Sequence, residues 1–245
     1  MRRFRAALAC LTMLPVDPRP AATDQELGGS WSFFPLVGVL IGWLLAVTHS
    51  AASEIVSPLV AAGCTLAVWV MITGALHLDG FGDLCDALAG GRTPEARLRI
   101  MKDTHVGAMA VVGLSTLLIL KFAAIVSLPR PSSGSALLLA PCFGRWVMVL
   151  LGTTMRYARR TGTAAPFVRH ARRSSLVIAT LVAAAAAWLA WPEAGLWLFA
   201  LAIGIGLLAR ATCGWLLGGI TGDALGAAGE LTELIILLAA GVSLA

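Results

Sequence analysis

The sequence predicts an all-α, polytopic integral membrane protein, a bundle of about seven transmembrane helices forming a single domain over residues 1–245. Apolar residues make up 58% of the chain and charged residues only 13%, about half the charged share of a soluble domain. The apolar residues occur in long blocks and lack the alternation that a transmembrane β-barrel requires. The five cysteines are scattered and form no CxxC pair, so the sequence indicates neither a disulfide scaffold nor a zinc site.

Seven apolar segments approach or exceed the length of about 20 residues that a spanning helix needs. They lie at 31–48, 55–76, 107–128, 134–154, 174–191, 195–217 and 230–245. The basic and apolar start of the chain, within 1–30, predicts a short helix lying on the inner surface of the membrane. The other polar regions are an acidic loop at 77–106, a basic loop at 155–173 and a Gly-rich acidic segment at 218–233.

The distribution of lysine and arginine predicts the orientation, because these residues are retained on the cytoplasmic side. A cytoplasmic N-terminus places 14 of the 18 basic residues on that side. They are Arg2, Arg3, Arg5, Arg19, Arg92, Arg97, Arg99, Lys102, Arg156, Arg159, Arg160, Arg169, Arg172 and Arg173. Arg130 falls outside, while Lys121, Arg145 and Arg210 lie within apolar segments and are expected to point into the bundle toward a carboxylate or a phosphate. Both acidic regions then face the cytoplasm.

The first acidic region contains three aspartates with helical spacing. If residues 79–86 are helical, Asp79, Asp83 and Asp86 at i, i+4 and i+7 share one face. Stacked negative charges need a cation, and Mg²⁺ takes oxygen ligands from carboxylates and substrate phosphates. The alternative is a solvated polar face just outside the membrane. His77 adjoins the aspartates and is a candidate base or ligand.

The second acidic region combines glycines with Asp223, Glu230 and Glu233. Glycines permit close backbone approach to a ligand, although they also serve tight helix packing in lipid. The basic loop at 155–173 has two similar interpretations: a topology signal attracted to anionic lipid, or arginines that clamp a polyanionic substrate. Nucleic acid is not expected as a partner, because the membrane topology already accounts for the positive charge.

Carboxylates beside arginines at a membrane surface are suited to phosphoryl or phosphonucleotidyl transfer, in which metal ions and positive groups position the reactants. A CDP-alcohol phosphotransferase acting on lipid uses similar chemistry, but Asp79-Gly80 is followed by Phe-Gly-Asp-Leu instead of the DGxxAR continuation. A transporter would use Lys121, Arg145 and the acids as an ion relay, but no inverted repeat and no acid at the membrane midplane is evident.

The stretch TGALHLDGFGDLCDALAGGRTPEARLRIMKDTHVGAMAV, residues 73–111, resembles the signature of the cobalamin synthases, the adenosylcobinamide-GDP ribazoletransferases. Four other stretches are similar to that family: LTMLPV, FFPLVGVLIG, GRWVMVLLGTTMRYARRTGTAAPF and GGITGDALGAAGELTE. The resemblance preserves the order of the motifs and spans nearly the whole chain.

The resemblance implies a transferase of the bacterial cytoplasmic (inner) membrane that joins adenosylcobinamide-GDP to α-ribazole or its 5′-phosphate, releases GMP and requires Mg²⁺. The implied catalytic residues are His77, Asp79, Asp83 and Asp86, of which the three aspartates hold the metal. The implied substrate-binding residues are Lys102, Asp103, Arg145, Arg156, Arg159, Arg160, Asp223, Glu230 and Glu233. The active site is expected to face the cytoplasm, and assembly into a homo-oligomer is left open.

Overall fold

The computed structural model describes residues 1–16 and 21–242, and in them the chain forms twelve α-helices. The helices are α1 (Arg2–Leu11), α2 (Asp24–Ser30), α3 (Phe34–Ser53), α4 (Pro58–Thr73), α5 (Leu76–Gly90), α6 (Pro94–Ile100), α7 (Ala108–Val126), α8 (Arg130–Thr154), α9 (Ala165–Arg169), α10 (Arg173–Ala190), α11 (Gly195–Leu217) and α12 (Gly222–Val242). Arg19, predicted to be cytoplasmic, and the last three residues of the segment 230–245 lie outside the described residues.

Six helical stretches are long and apolar enough to cross a membrane, and the bent pair α4 and α5 makes a seventh if it is counted as one span. A short 3₁₀ turn, Trp31–Phe33, joins α2 to α3, so the first span runs from Asp24 to Ser53. The predicted multi-pass helical membrane protein is therefore confirmed, while its orientation stays a prediction.

Serine and threonine caps fix the starts of several helices. The Ser57 hydroxyl accepts a hydrogen bond from the Val60 amide at the start of α4. Thr93 does the same for the Ala96 amide at the start of α6. Each cap satisfies one of the amides that the first helical turn leaves without a helical partner.

The chain turns by 90° between α4 and α5. Gly74 and Ala75 both adopt left-handed conformations, with φ of 58° and 55°, which glycine adopts without strain and alanine does not. The predicted loop at 77–106 was therefore wrong in its first part, because residues up to Gly90 continue as α5. This helix meets the condition on which the shared face of Asp79, Asp83 and Asp86 depends, that residues 79–86 are helical.

The Gly-rich segment is also helical, which corrects the prediction that it is a connection before a span starting at residue 230. Helix α12 begins at Gly222, and the Thr221 hydroxyl accepts from the Ala224 amide at its start. A Cβ on Gly80 of α5 would lie 2.6 Å from the Cα of Asp223. The small residues thus allow two helices to touch through their backbones, as in other membrane proteins.

Helix α8 occupies the centre of the bundle and packs against α3, α10, α11 and α12. The short helix predicted at the basic start of the chain is α1, which packs against α2 and α3. Its position on the membrane surface stays a prediction. The basic loop at 155–173 contains α9, which packs against α2, and its last residue, Arg173, starts α10.

Candidate active site

A cavity of about 220 Å³ lies at one end of the bundle. It is bordered by the start of α3, the start of α5, the segment around α9 and the start of α12. Three aromatic rings form part of its wall: Trp31, Phe34 and Phe167. The Trp31 ring centroid lies 4.5 Å from that of Phe34 and 6.1 Å from that of Phe167. The Trp31 indole N–H donates to the Phe167 carbonyl at 2.9 Å, which fixes the ring.

His77, Asp79 and Asp223 line the same cavity. His77 is buried, and its Nδ1 has no hydrogen-bond partner among the described residues. The aspartates come from two helices that meet at Gly80, whose missing side chain lets Asp223 of α12 lie against α5. The cavity therefore has an aromatic wall and a polar edge, which is a common form of ligand site.

The acidic residues extend from this edge along α5. Asp83 lies within electrostatic range of Asp79, Asp86 and Asp223. A second cavity, of about 290 Å³, is lined by Asp83, Asp86 and Asp103. In the described part of the chain no lysine or arginine forms an ion pair with Asp79, Asp83 or Asp86. We call Asp79, Asp83 and Asp223 the acid row. In the described part of the chain, its only ion pair is the one between Asp223 and Arg159.

Asp86 has a different position from the other aspartates. Its Oδ2 accepts from the Gly107 amide at 2.7 Å, and its Oδ1 accepts from the Ala110 amide at 2.8 Å. Both bonds lie at the start of α7, so Asp86 acts as a cap for that helix. Among the described residues no three His, Cys, Asp or Glu side chains are already arranged to hold a metal ion. The predicted set of Asp79, Asp83 and Asp86 around one ion is thus not preformed.

Asp103 lines the second cavity, while Lys102 beside it is exposed and does not. The Asp103 carboxylate accepts from the side chain and the amide of His105, at 2.6 and 3.0 Å. These hydrogen bonds, the side-chain bond above all, lower the pKa of Asp103. The partnership with His105 was not predicted, although the two residues are only two positions apart in the sequence.

The three arginines predicted as one phosphate clamp, Arg156, Arg159 and Arg160, have different partners. Arg159 Nη1 is 2.9 Å from Asp223 Oδ2. Arg156 Nε instead donates to the Gly218 carbonyl at 2.8 Å, at the end of α11. Arg160 is exposed, and its carbonyl accepts a hydrogen bond from Arg169. Of the three arginines, only Arg159 forms an ion pair with a residue that lines the aromatic cavity.

Tyr157 and Cys10 are two further protonatable groups near the site. Burial is the main cause that raises the pKa of the Tyr157 hydroxyl, and the negative charge of Asp223 adds to it. Cys10 lines the aromatic cavity, and burial raises the pKa of its thiol to about 11. A thiol that stays protonated at neutral pH is a poor nucleophile, so Cys10 contributes as a packing residue.

Arg145, Glu230 and Glu233, predicted to bind substrate, lie in the interior beside Lys121. Lys121 Nζ is 2.5 Å from a carboxylate oxygen of each glutamate, and Arg145 pairs with Glu233. The expectation that Lys121 and Arg145 point at carboxylates is confirmed. The resemblance implied that the two glutamates bind substrate, but both are buried within the bundle and paired with these cations.

Arg210 is exposed and forms no ion pair within the described residues, so the expectation that it points into the bundle was wrong. Sequence reasoning also missed the aromatic wall. Trp31, Phe34 and Phe167 carry no local signal of function, because aromatic residues in apolar segments are typical of any core.

Comparison with known proteins gives one consistent result. The family model described as cobalamin-5-phosphate synthase matches residues 3–241. A protein of Syntrophobacter fumaroxidans named adenosylcobinamide-GDP ribazoletransferase is 40% identical over 240 residues, which is 97% of each chain. A protein of Ectopseudomonas mendocina with the same name is 41% identical over 245 residues, 98% of each chain. No solved structure matches the chain. The chain therefore belongs to the cobalamin-5-phosphate synthase family.

Proposed function

We propose that this protein transfers the adenosylcobinamide phosphate group from adenosylcobinamide-GDP to α-ribazole or its 5′-phosphate. The products are adenosylcobalamin or its 5′-phosphate, and GMP. Membership of the family and the names of the relatives support this activity. The structural observation that best supports this activity is the cavity in which the aromatic wall meets the acid row.

The aromatic wall is suited to the acceptor. A ribazole carries a flat aromatic base, and Trp31, Phe34 and Phe167 offer rings against which such a base packs. The cavity, at about 220 Å³, has room for a base and is too small for a corrin. The donor's corrin therefore stays outside the cavity, and only its phosphate approaches the polar edge.

The acid row is not preformed as a three-ligand site in the described residues, but its oxygen donors suit a divalent cation. Its carboxylates come from two helices, lie within electrostatic range of one another and have few cations nearby. Hard oxygen ligands of this kind suit Mg²⁺, which also keeps ligands from substrate phosphates. Asp79, Asp83 and Asp223 would hold the ion, while Asp86 supports them by fixing α7. A bound Mg²⁺ would neutralise the carboxylates and withdraw charge from the diphosphate of the donor.

The transfer forms one bond to phosphorus and breaks another. The ribazole hydroxyl oxygen attacks the phosphorus attached to cobinamide, and the bond from that phosphorus to the bridging oxygen breaks, so that GMP leaves with the oxygen. The hydroxyl proton needs an acceptor at the cavity edge. His77 lines the cavity, and its Nδ1 is buried with no hydrogen-bond partner in the described part of the chain, so we assign this role to His77. Arg159, beside Asp223, stabilises the phosphate charge.

The test is GMP release by the purified protein in detergent, with both substrates and Mg²⁺. Asp79→Asn and Asp83→Asn are each expected to lower turnover by about 100-fold or more, the usual effect of removing one electrostatic contact in a transition state. Asp24→Asn, in the exposed first turn of α2, serves as the matched control and keeps its turnover. Near-normal turnover in both site variants, correctly folded, would contradict the metal assignment.

We further propose that the aromatic cavity faces the cytoplasm from the inner membrane. Support comes from the positive charge near this end of the bundle, since the basic loop follows α8 directly. Reporters fused to the two termini test this orientation. An N-terminal reporter active in the cytoplasm and a C-terminal reporter active outside are expected, and the reverse pattern contradicts the proposal.

A further inference from the structure

A groove of about 310 Å³ lies where α8 and α11 end. Its lining includes Thr154, Arg156, Arg210 and Gly218, and it contains no aspartate or glutamate. Within the described chain, neither arginine forms an ion pair with an acid. The groove therefore carries two positive charges that no carboxylate of its wall balances, in contrast to the acid row.

The end of α11 holds Arg156 in place. Arg156 Nε donates to the Gly218 carbonyl at 2.8 Å, and Arg97 Nη1 donates to the Leu216 carbonyl at 3.1 Å. The last carbonyls of a helix form the negative end of its dipole and attract cations. Because the bond to the Gly218 carbonyl orders Arg156 before any ligand arrives, the groove presents a positioned cation to an anion.

Arg210 lies within the apolar helix α11 and is exposed to the surroundings of the bundle. A lipid-facing arginine is costly unless its long side chain reaches the headgroup level or a charged partner. Leu207 and Ile203 are also exposed and lie about one and two turns before Arg210, on the same side of the helix as the groove residue Gly214. The basic groove thus continues into an apolar surface.

We propose that this groove binds the phosphate of an anionic phospholipid, with an acyl chain along Ile203 and Leu207. Basic pockets between membrane helices at the headgroup level are suited to such lipids. The diphosphate of a nucleotide has related chemistry. The lipid is favoured because the groove opens onto an exposed apolar surface and lacks the carboxylates that would hold a metal-bound diphosphate.

The test measures lipid binding by the full-length protein in detergent, with phosphatidylglycerol and phosphatidylcholine titrated separately. The wild type is expected to prefer phosphatidylglycerol. Arg210→Gln is expected to weaken phosphatidylglycerol binding about fivefold, the contribution of one basic residue near a membrane surface. Arg130→Gln, at the start of α8 and therefore at the opposite end of that helix from the groove, is the matched control and keeps the preference.

A second pair of variants tests the groove by filling it. A Cβ added to Gly214, which lines the groove, meets no atom within 4 Å, and the same is true of Gly204, which does not line it. Gly214→Leu is expected to abolish the preference for phosphatidylglycerol, and Gly204→Leu to keep it. This pair decides the question if Arg210→Gln does not fold.

Three results would overturn the proposal: equal binding of the two lipids by the wild type, unchanged preference in Gly214→Leu, or displacement of phosphatidylglycerol by GMP or inorganic diphosphate. The last result would assign the groove to a nucleotide. The readout is binding without turnover, so the outcome is independent of the proposed transferase activity.

Discussion

Arg145 of α8 and Glu233 of α12 form an ion pair in which both side chains are fully buried. Lys121 of α7 contacts Glu233 and also Glu230, and its ammonium group lies 4.4 Å from the centre of the Trp69 ring. The two cations and two anions balance one another within the bundle. These buried ion pairs therefore link three helices of the bundle, α7, α8 and α12.

Glu233→Gln is expected to destabilise the protein by about 3–5 kcal/mol, because removal of one partner leaves a buried charge uncompensated. Two cations would then face one remaining carboxylate, that of Glu230. Denaturant titration of the purified variant in detergent measures the loss. Glu193→Gln, an exposed acid after α10, is the control and should match the wild type. Equal stability of both variants would show that the interior tolerates the unbalanced charge.

Asp86→Ala is expected to cost about 1–2 kcal/mol, the usual effect of losing a helix cap. The carboxylate accepts from the Gly107 and Ala110 amides, and these would lose their partner. Thermal unfolding measures this loss. Glu95→Ala is the comparison: this exposed acid lies in the first turn of α6, where Thr93 supplies the cap instead.

The same variant separates a capping role from metal binding. If Asp86 only supports α7, the Mg²⁺ concentration needed for half-maximal turnover stays the same in the folded Asp86→Ala protein. Unchanged stability together with a raised Mg²⁺ requirement would show that Asp86 is a metal ligand, as the spacing in the sequence predicts.

Gly80→Ala is expected to separate α5 from α12. The new Cβ would lie 2.6 Å from the backbone of Asp223, so the helices must move apart, and such overpacking costs about 1–3 kcal/mol. The shift moves Asp79 away from Asp223, and GMP release is expected to fall more than stability alone explains. Gly204→Ala adds the same methyl group in open space and should have neither effect.

The sequence predicted those features that depend on local spacing or on a general cost. Helical periodicity put Asp79, Asp83 and Asp86 on one face, and the cost of a charge in lipid predicted partners for Lys121 and Arg145. The argument from the cost of a charge in lipid failed for Arg210. An arginine near the end of a helix can avoid this cost by remaining exposed at the surface.

Other features could not be predicted because they depend on contacts between distant segments. Glu230 was assigned to substrate binding, but its partner is Lys121, which lies 109 residues away in the sequence. The start of α12 was missed because glycines usually weaken a helix, whereas here Gly226 allows α12 to approach His77. Packing between helices decided both cases.

The aromatic wall leads to a final prediction, about which substrate the cavity binds. Phe34→Leu keeps an apolar side chain but removes one ring from the wall. Since a stacked aromatic pair contributes about 0.5–1.5 kcal/mol, the KM for α-ribazole is expected to rise about twofold to tenfold. The KM for adenosylcobinamide-GDP should stay the same, because the corrin does not enter the cavity.

Phe199→Leu is the matched control for this prediction. Phe199 belongs to a separate aromatic cluster with Phe143 and Trp146, and its ring does not line the cavity. Its replacement therefore removes an equivalent ring without touching the acceptor, and both KM values should match the wild type. If Phe34→Leu instead raises the KM for the donor alone, the aromatic wall binds the nucleotide base of adenosylcobinamide-GDP, and the acceptor must approach the acid row from the second cavity beside Asp83.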